Sequence, residues 1–259
     1  MMDPMISANT SPPPLVGLIV PPAAGKVPDD GPTLYPDRVR FIARGLALPT
    51  ISTVGYDAVI DSVTAKAVEL ADAGVKAISL MGTSLSFYRG ADYNRQLVSA
   101  IANATGLPSS TMSQAVVHAL RSVSVRRVAL ATAYTDDVNA RLIDFLRAEG
   151  FEIAAVKGLS ITDVVGVGEV SPDALTALAE DVFAQSSAAQ GVLISCGGLK
   201  TLGILEALEA RLGVPVISSS AAGFWDVVQL ANIDPTADGF GQLLRRYPPR
   251  PASCQSAHI

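Results

Sequence analysis

Cysteine is almost missing from this sequence: its 259 residues include two, Cys196 and Cys254. Two thiols cannot make a disulfide framework, and so low a count suits a reducing, cytoplasmic setting. Histidine is equally scarce, with His118 and His258 alone. A histidine-rich metal site is therefore excluded, and no acidic pair or His/Cys cluster has metal-ligand spacing, so no metal is expected. Basic residues are in deficit, 19 Lys and Arg against 24 Asp and Glu, for a net charge of −5. Without basic runs, such a chain lacks the electrostatic footprint of a nucleic-acid or anionic-membrane binder. No apolar run approaches the ~18 residues of a membrane span. The opening MMDPMISANTSPPP has neither a basic nor an apolar segment and predicts no secretory signal. Nucleotide fingerprints are missing too. Gly25-Lys26 and Gly198-Leu199-Lys200 lack the spacing and ending of a phosphate loop.

What is present is the material of a core. Hydrophobic residues are 49% and charged residues 17%, which rules out global disorder. At roughly 150 residues per domain, the length predicts one to two domains. Short Val/Ile/Leu-rich runs read as buried strands: Leu15–Val20, Arg40–Leu48, Val75–Met81, Val128–Ala131, Gly191–Ser195 and Val214–Ile217. Between them lies helix spacing. Val59, Val63, Ala67 and Leu70 share a face that stops at Gly74. Val138, Leu142, Phe145 and Leu146 share another, with Thr135 as cap, Asp136 and Asp137 at its positive start, and Gly150 at its end. Ser171-Pro172 opens a third, followed by Leu175, Leu178 and Val182. Alternating strands and helices predict an α/β fold with parallel sheets.

The strand ends suggest a repeat. Pro21 to Gly82 is 61 residues, and Ala133 to Cys196 is 63. The spacing predicts two pseudo-symmetric lobes whose strands point their carboxyl ends into one cleft. Residues 1–14 read as a disordered leader, 15–125 as lobe 1 and 126–222 as lobe 2. Residues 223–245 are expected to pack back on lobe 1. Residues 248–259 read as a loose tail that keeps Cys254 and His258 out of the core.

Two strand ends have chemistry. In Ile194-Ser195-Cys196-Gly197-Gly198, glycines let backbone amides approach a ligand, and a helix starting there would favour an anion. The residues support two readings equally: a thiol beside a bound carboxylate, or a buried structural cysteine. In Met81-Gly82-Thr83-Ser84, adjacent hydroxyls and amides make a neutral anion nest or an ordinary helix cap. His118 sits in a predicted helix and reads as packed or at the surface rather than catalytic. Phe224 and Trp225 read as core or hinge packing.

Six blocks, taken together and in order, carry a resemblance. They are Val20-Pro21-Pro22-Ala23-Ala24-Gly25, Leu34-Tyr35-Pro36-Asp37, Ser79 to Gly90, Arg127 to Tyr134, Ser195-Cys196-Gly197-Gly198 and Ser218 to Asp226. From about Leu15 to about Leu244 the chain resembles the arylmalonate decarboxylase family of the aspartate/glutamate racemase superfamily. The racemases of that superfamily place one cysteine in each lobe. Here Gly82 stands at the first-lobe position, which favours a decarboxylase over a racemase or cis–trans isomerase. A small-carboxylate binding protein is the non-enzyme rival.

The resemblance implies enantioselective decarboxylation of α-aryl malonates without a cofactor, with the small-molecule substrate as partner; a monomer is expected, but the sequence does not derive it. It implies that Thr83, Ser84, Tyr134 and the amides around Cys196 and Gly197 hold one carboxylate. Leu48, Ile51, Tyr56, Leu85, Val164 and Val167 would surround the departing one. Pro21, Pro22, Gly82 and Gly198 would receive the aryl ring, and Cys196 would protonate the enediolate. Val167 and Ile51 differ modestly from what such a pocket leads one to expect. Lys200 stands where an apolar residue is expected, and a surface helix position is the expectation for it.

Overall fold

The computed structural model describes residues 12–245. The proposed tail, with Cys254 and His258, and most of the leader lie outside the described residues. Two four-stranded sheets, all pairs parallel, form the frame. The first holds β1 (Leu15–Val20), β2 (Arg40–Gly45), β3 (Ile78–Leu80) and β4 (Ser109–Thr111), in the order β2-β1-β3-β4. The second holds β5 (Arg127–Thr132), β6 (Glu152–Gly158), β7 (Gly191–Ser195) and β8 (Val216–Ser218), in the order β6-β5-β7-β8. The two orders are the same once each sheet is counted from its own first strand. That is the pseudo-symmetry the strand-end spacing predicts.

The helices of the first half are α1 (Asp30–Leu34), α2 (Thr53–Val59), α3 (Val63–Asp72), α4 (Thr83–Phe87), α5 (Ala91–Thr105) and α6 (Met112–Ser122). Those of the second are α7 (Asp136–Ala148), α8 (Pro172–Ala184), α9 (Leu202–Leu212), α10 (Ser219–Leu230) and α11 (Gln242–Arg245). Central strands bury both faces, as in Val16, Leu18 and Ile19 of β1 and Val192 to Ile194 of β7. Gly17 makes room for α3, because a Cβ there would come within 3.2 Å of Leu70 and Val75.

Local signals act as the residues suggest in most places. Ser171 accepts a hydrogen bond from the Ala174 amide, and Pro172 opens α8. Gly74 and Gly150 take φ of +81° and +89° just beyond α3 and α7. Thr135 occupies the cap position of α7, but its side chain makes no capping hydrogen bond. The run from Arg40 ends as a strand at Gly45, not Leu48. Leu46 and Leu48 still donate to the Val20 and Pro21 carbonyls while Ala47 turns to a φ of +57°. That turn directs the chain along the cleft.

In each sheet the chain leaves the first strand, adds a neighbour on one side, then crosses to the other. The carboxyl ends of β1 and β3, and of β5 and β7, therefore form two switch points, where α/β sheets open a crevice. The helix α10 follows β8 and packs on α6 of the other half. Its Asp226, fully buried, meets Ser110 Oγ at 2.5 Å and His118 Nδ1 at 2.8 Å. His118 is thus a packed core histidine on α6, and Phe224 and Trp225 are core.

Candidate active site

Three of the four switch-point strand ends, those of β1, β3 and β7, line one cleft of about 960 Å³, and the end of β5 lies behind its wall. Pro21 and Pro22 follow β1, Gly82 and Thr83 follow β3, Tyr134 lies beyond β5, and Cys196 follows β7. The loops after β3 and β7 touch: a Cβ on Gly197 would lie 3.5 Å from the Met81 carbonyl oxygen and 2.8 Å from Met112 Sδ. A side chain at this position would have to displace the end of Met112.

Cys196 is half-buried in the cleft wall and has a φ of +154°, a region costly for any residue with a Cβ. Such strain is held where the surroundings over-determine the backbone. The helix expected to start at this point does not. Residues 197–199 form a turn closed by the Leu199 amide on the Cys196 carbonyl at 3.2 Å, and α9 starts only at Leu202. The anion-binding capacity of this loop therefore rests on turn amides rather than on a helix terminus. Burial pushes the Cys196 thiol up to about 11, against smaller opposing effects from the Gly198 amide and the Tyr134 hydroxyl. The side chain is a neutral thiol throughout the physiological range.

Opposite it, Gly82 is the N-cap of α4, and Thr83 and Ser84 form the first turn. Thr83 Oγ1 lies 2.9 Å from Met112 Sδ. A thioether is a weak acceptor, so this hydroxyl is easily recruited by an anion. Two buried serines fix the turn from behind. Ser86 Oγ reaches the Gly82 carbonyl at 2.9 Å and Ser113 Oγ at 2.7 Å, and Ser113 Oγ donates to the Thr83 carbonyl at 2.7 Å.

Tyr134 is fully buried, and its hydroxyl accepts from Ser195 Oγ at 3.3 Å and faces Thr83 and Cys196. Burial raises its pKa well above the usual phenol value, so it stays a neutral donor. Tyr56 is buried with its pKa likewise raised, and its ring lies edge-on to Tyr88 at 5.0 Å. Its hydroxyl is directed toward Ser84 but forms no hydrogen bond of normal geometry. Neither tyrosine lines the open cleft; both stand immediately behind its wall.

The apolar wall comes from both halves. Leu48, Ile51 and Leu85 of the first half line the cleft with Val164 and Val167 of the second. The two loops are joined by the Ile51 amide on the Thr162 carbonyl at 2.9 Å. Asp163 accepts from the Val165 and Gly166 amides at 3.1 and 2.9 Å, which fixes the turn between Val164 and Val167. Pro21, Pro22, Gly82 and Gly198 line the remaining wall. Lys200 is not on a helix. It is exposed on the loop before α9 and lines the cleft.

Several cleft residues carried no signal in the sequence. Met112, which touches both Thr83 and the space beside Gly197, follows a hydroxyl-rich strand that lacks strand-like apolar residues. Asp30 and Ser220 interact across the cleft wall, and burial raises the Asp30 carboxyl above its usual range. Among the described residues, no group of three His, Cys, Asp or Glu gathers to hold a metal ion, and no helix is long and apolar enough to cross a membrane.

Two like-wound parallel α/β lobes that meet at their strand ends define the racemase-like fold shared by the arylmalonate decarboxylase and maleate isomerase structures. Within that class, the chain belongs to the arylmalonate decarboxylase family, whose model matches residues 16–244. It is 52% identical over 231 residues to the arylmalonate decarboxylase of Bordetella bronchiseptica, covering 89% of this chain and 96% of that protein. A solved structure of a glycine-to-cysteine, cysteine-to-serine mutant of arylmalonate decarboxylase, in liganded form, is 51% identical. It aligns with a TM-score of 0.88 over 90% of this chain and 99% of that one. The Nocardia farcinica maleate cis-trans isomerase bound to TRIS is 24% identical, with a TM-score of 0.84 over 90% of this chain and 98% of that one, and shares the fold.

Proposed function

We propose that this protein decarboxylates α-aryl malonates, including α-methyl ones, and delivers one enantiomer of the α-aryl carboxylic acid. The observation that carries the reading is one cleft whose lining joins Cys196 to the neutral donors at Thr83, Ser84 and Gly197 and to the apolar Leu48, Ile51, Leu85, Val164 and Val167. The substrate enters as a dianion. One carboxylate is received by Thr83, Ser84 and the amides around Cys196 and Gly197, with the buried Tyr134 hydroxyl supporting Thr83 from behind the wall. The other lies against Leu48, Ile51, Leu85, Val164 and Val167, backed by Tyr56, where an ionised group has no partner. The bond from the central carbon to that carboxylate breaks, and carbon dioxide leaves. The electron pair passes into the retained carboxylate as a planar enediolate, whose two oxygens face the donor set. The Cys196 thiol gives its proton to the near face of the carbon, and the resulting thiolate regains a proton from water. The aryl ring rests against Pro21, Pro22 and the flat backbone at Gly82 and Gly198.

The remaining carboxylate is itself the electron sink, so this sequence of steps calls for no cofactor. Burial of the thiol supports its role, because a donor must hold its proton until the enediolate forms. Gly82, at the first-lobe position where racemases of the superfamily carry a second thiol, has no proton to exchange. This favours decarboxylation over racemisation. The test is carbon dioxide release from phenylmalonate and methylphenylmalonate by purified, chelator-treated protein. Uptake of the malonate without carbon dioxide release would instead make the cleft a binding site. Loss of turnover after chelation, restored by one metal, would overturn the cofactor-independent route.

A further inference from the structure

Four charged side chains line the cleft: Lys26, Asp29 and Asp30 from the stretch after β1, and Lys200 from the loop after β7. None is among the donors at Thr83, Ser84 and Gly197, and the apolar pocket contains no charge. The two lysines come from opposite lobes onto one opening. Lys200 is exposed and forms no ion pair with any described residue. Lys26 lies 3.2 Å from Asp29, but these side chains are 79% and 83% exposed. A pair so open to water is weak and yields readily to a competing anion. Asp30 is turned to Ser220, and burial favours its neutral form. Of these four charges, Lys200 alone has no charged or hydrogen-bonded partner among the described residues, so it is the cation of the lining that is free to take an anion.

Size points the same way. At about 960 Å³ the cleft stands at the upper end of the range that holds drug-sized ligands. Phenylmalonate is smaller than such a ligand. The lining that holds Cys196 also holds Lys200, so a substrate larger than a plain phenyl malonate has an unpaired ammonium to meet within the cleft. We propose that the substrate's aryl group bears an acidic substituent at the end remote from the malonate carbon, and that Lys200 receives it, with Lys26 a second cation on the same lining. This rests on the decarboxylase reading above and names its substrate class.

The test is the ratio of kcat/KM for 4-carboxyphenylmalonate to that for phenylmalonate, with the 3-carboxy isomer measured alongside. The native protein should prefer a carboxylated substrate, and 0.5 M salt should shrink the preference, because exposed charges are screened. Lys200→Gln should lower the ratio about fivefold, mainly through KM of the charged substrate, and Lys200→Glu should lower it further. Lys26→Gln should lower it less. An unchanged ratio in Lys200→Gln overturns the proposal. So does an equal slowing of both substrates, which would mean that the lysine merely attracts the malonate. Calorimetric binding of 4-carboxyphenylacetate relative to phenylacetate reads the same preference without turnover. A protein that shows the lysine-dependent binding ratio but releases no carbon dioxide refutes the decarboxylase reading alone. One that decarboxylates phenylmalonate but shows no ratio refutes the lysine assignment alone.

Discussion

Gly197→Ala should damage both the fold and the chemistry, for one geometric reason. A Cβ at this position would sit 2.8 Å from Met112 Sδ and 3.0 Å from Met112 Cε, so the end of that side chain must shift. Met112 is 1% exposed and has little room to retreat. Over-packing of this kind costs about 1–3 kcal/mol. For a chain of this size, each kcal/mol lowers Tm by about 2–4 °C, so the expected fall is about 2–12 °C. The displaced sulfur is also the group 2.9 Å from Thr83 Oγ1. Its movement disturbs the Thr83 hydroxyl while the new methyl shifts the Gly197 amide. Loss of one well-placed oxyanion donor costs about 10²–10³ in kcat. Gly203→Ala is the contrast: it lies in the first turn of α9 at the cleft wall, its Cβ would meet nothing within 4 Å, and Tm should stay at or slightly above the native value. The assays are thermal melting by circular dichroism and carbon dioxide release at saturating methylphenylmalonate. A Gly197→Ala protein with native Tm and native kcat would refute the packing argument and the donor role together.

Three further outcomes follow from the same geometry. Val164→Lys or Leu48→Lys places an ammonium beside the departing carboxylate, relieves its unpaired state before the bond breaks, and should lower kcat about tenfold or more with KM unchanged or reduced. Unchanged kcat in both would remove these side chains from the carboxylate pocket. Because burial raises the Cys196 thiol to about 11, alkylation by iodoacetamide should be slow at pH 7–8 and accelerate up to pH 11 as thiolate forms. A rate that plateaus below pH 9 would contradict the raised value. Asp226→Ala removes the carboxylate that Ser110 and His118 meet in the core between α6, β4 and α10, and loss of a buried hydrogen-bond partner costs about 1–3 kcal/mol. A melting temperature within about 2 °C of native would show that this brace is not needed.

Much of the frame is legible because burial on both faces leaves a plain apolar run, as in Leu15–Val20 and Gly191–Ser195, whose bounds match β1 and β7. Two strands are not legible for the opposite reason. β4 is Ser109-Ser110-Thr111, a hydroxyl-rich segment held by its pairing with β3, and β6 is a half-exposed edge whose Glu152 and Lys157 break the apolar pattern. Gly82, Thr83 and Cys196 stand out as small or reactive residues at strand ends. Leu48, Ile51, Tyr56 and Val164 have no such signal. They sit in loops or behind the wall, and only the family resemblance singles them out. The Cys-Gly-Gly run reads as a helix start, yet the turn at residues 197–199 delays α9 to Leu202 and brings Lys200 into the cleft. The Ser86–Ser113 and Asp30–Ser220 contacts join residues distant in sequence, and no local pattern encodes them.

The central claim is that Cys196 sets the face on which the enediolate is protonated. Its most direct measurement is chiral chromatography of the product that Gly82→Cys combined with Cys196→Ser makes from methylphenylmalonate. Gly82 has a φ of −130°, which any residue adopts, and a Cβ there would lie 3.1 Å from Leu85 Cβ and 3.4 Å from Pro21 Cγ, so a small local shift admits the thiol. A serine hydroxyl at 196 is too weak an acid to compete. The double variant should turn over slowly and give the opposite enantiomer from the native protein. Product of the native hand would contradict the account.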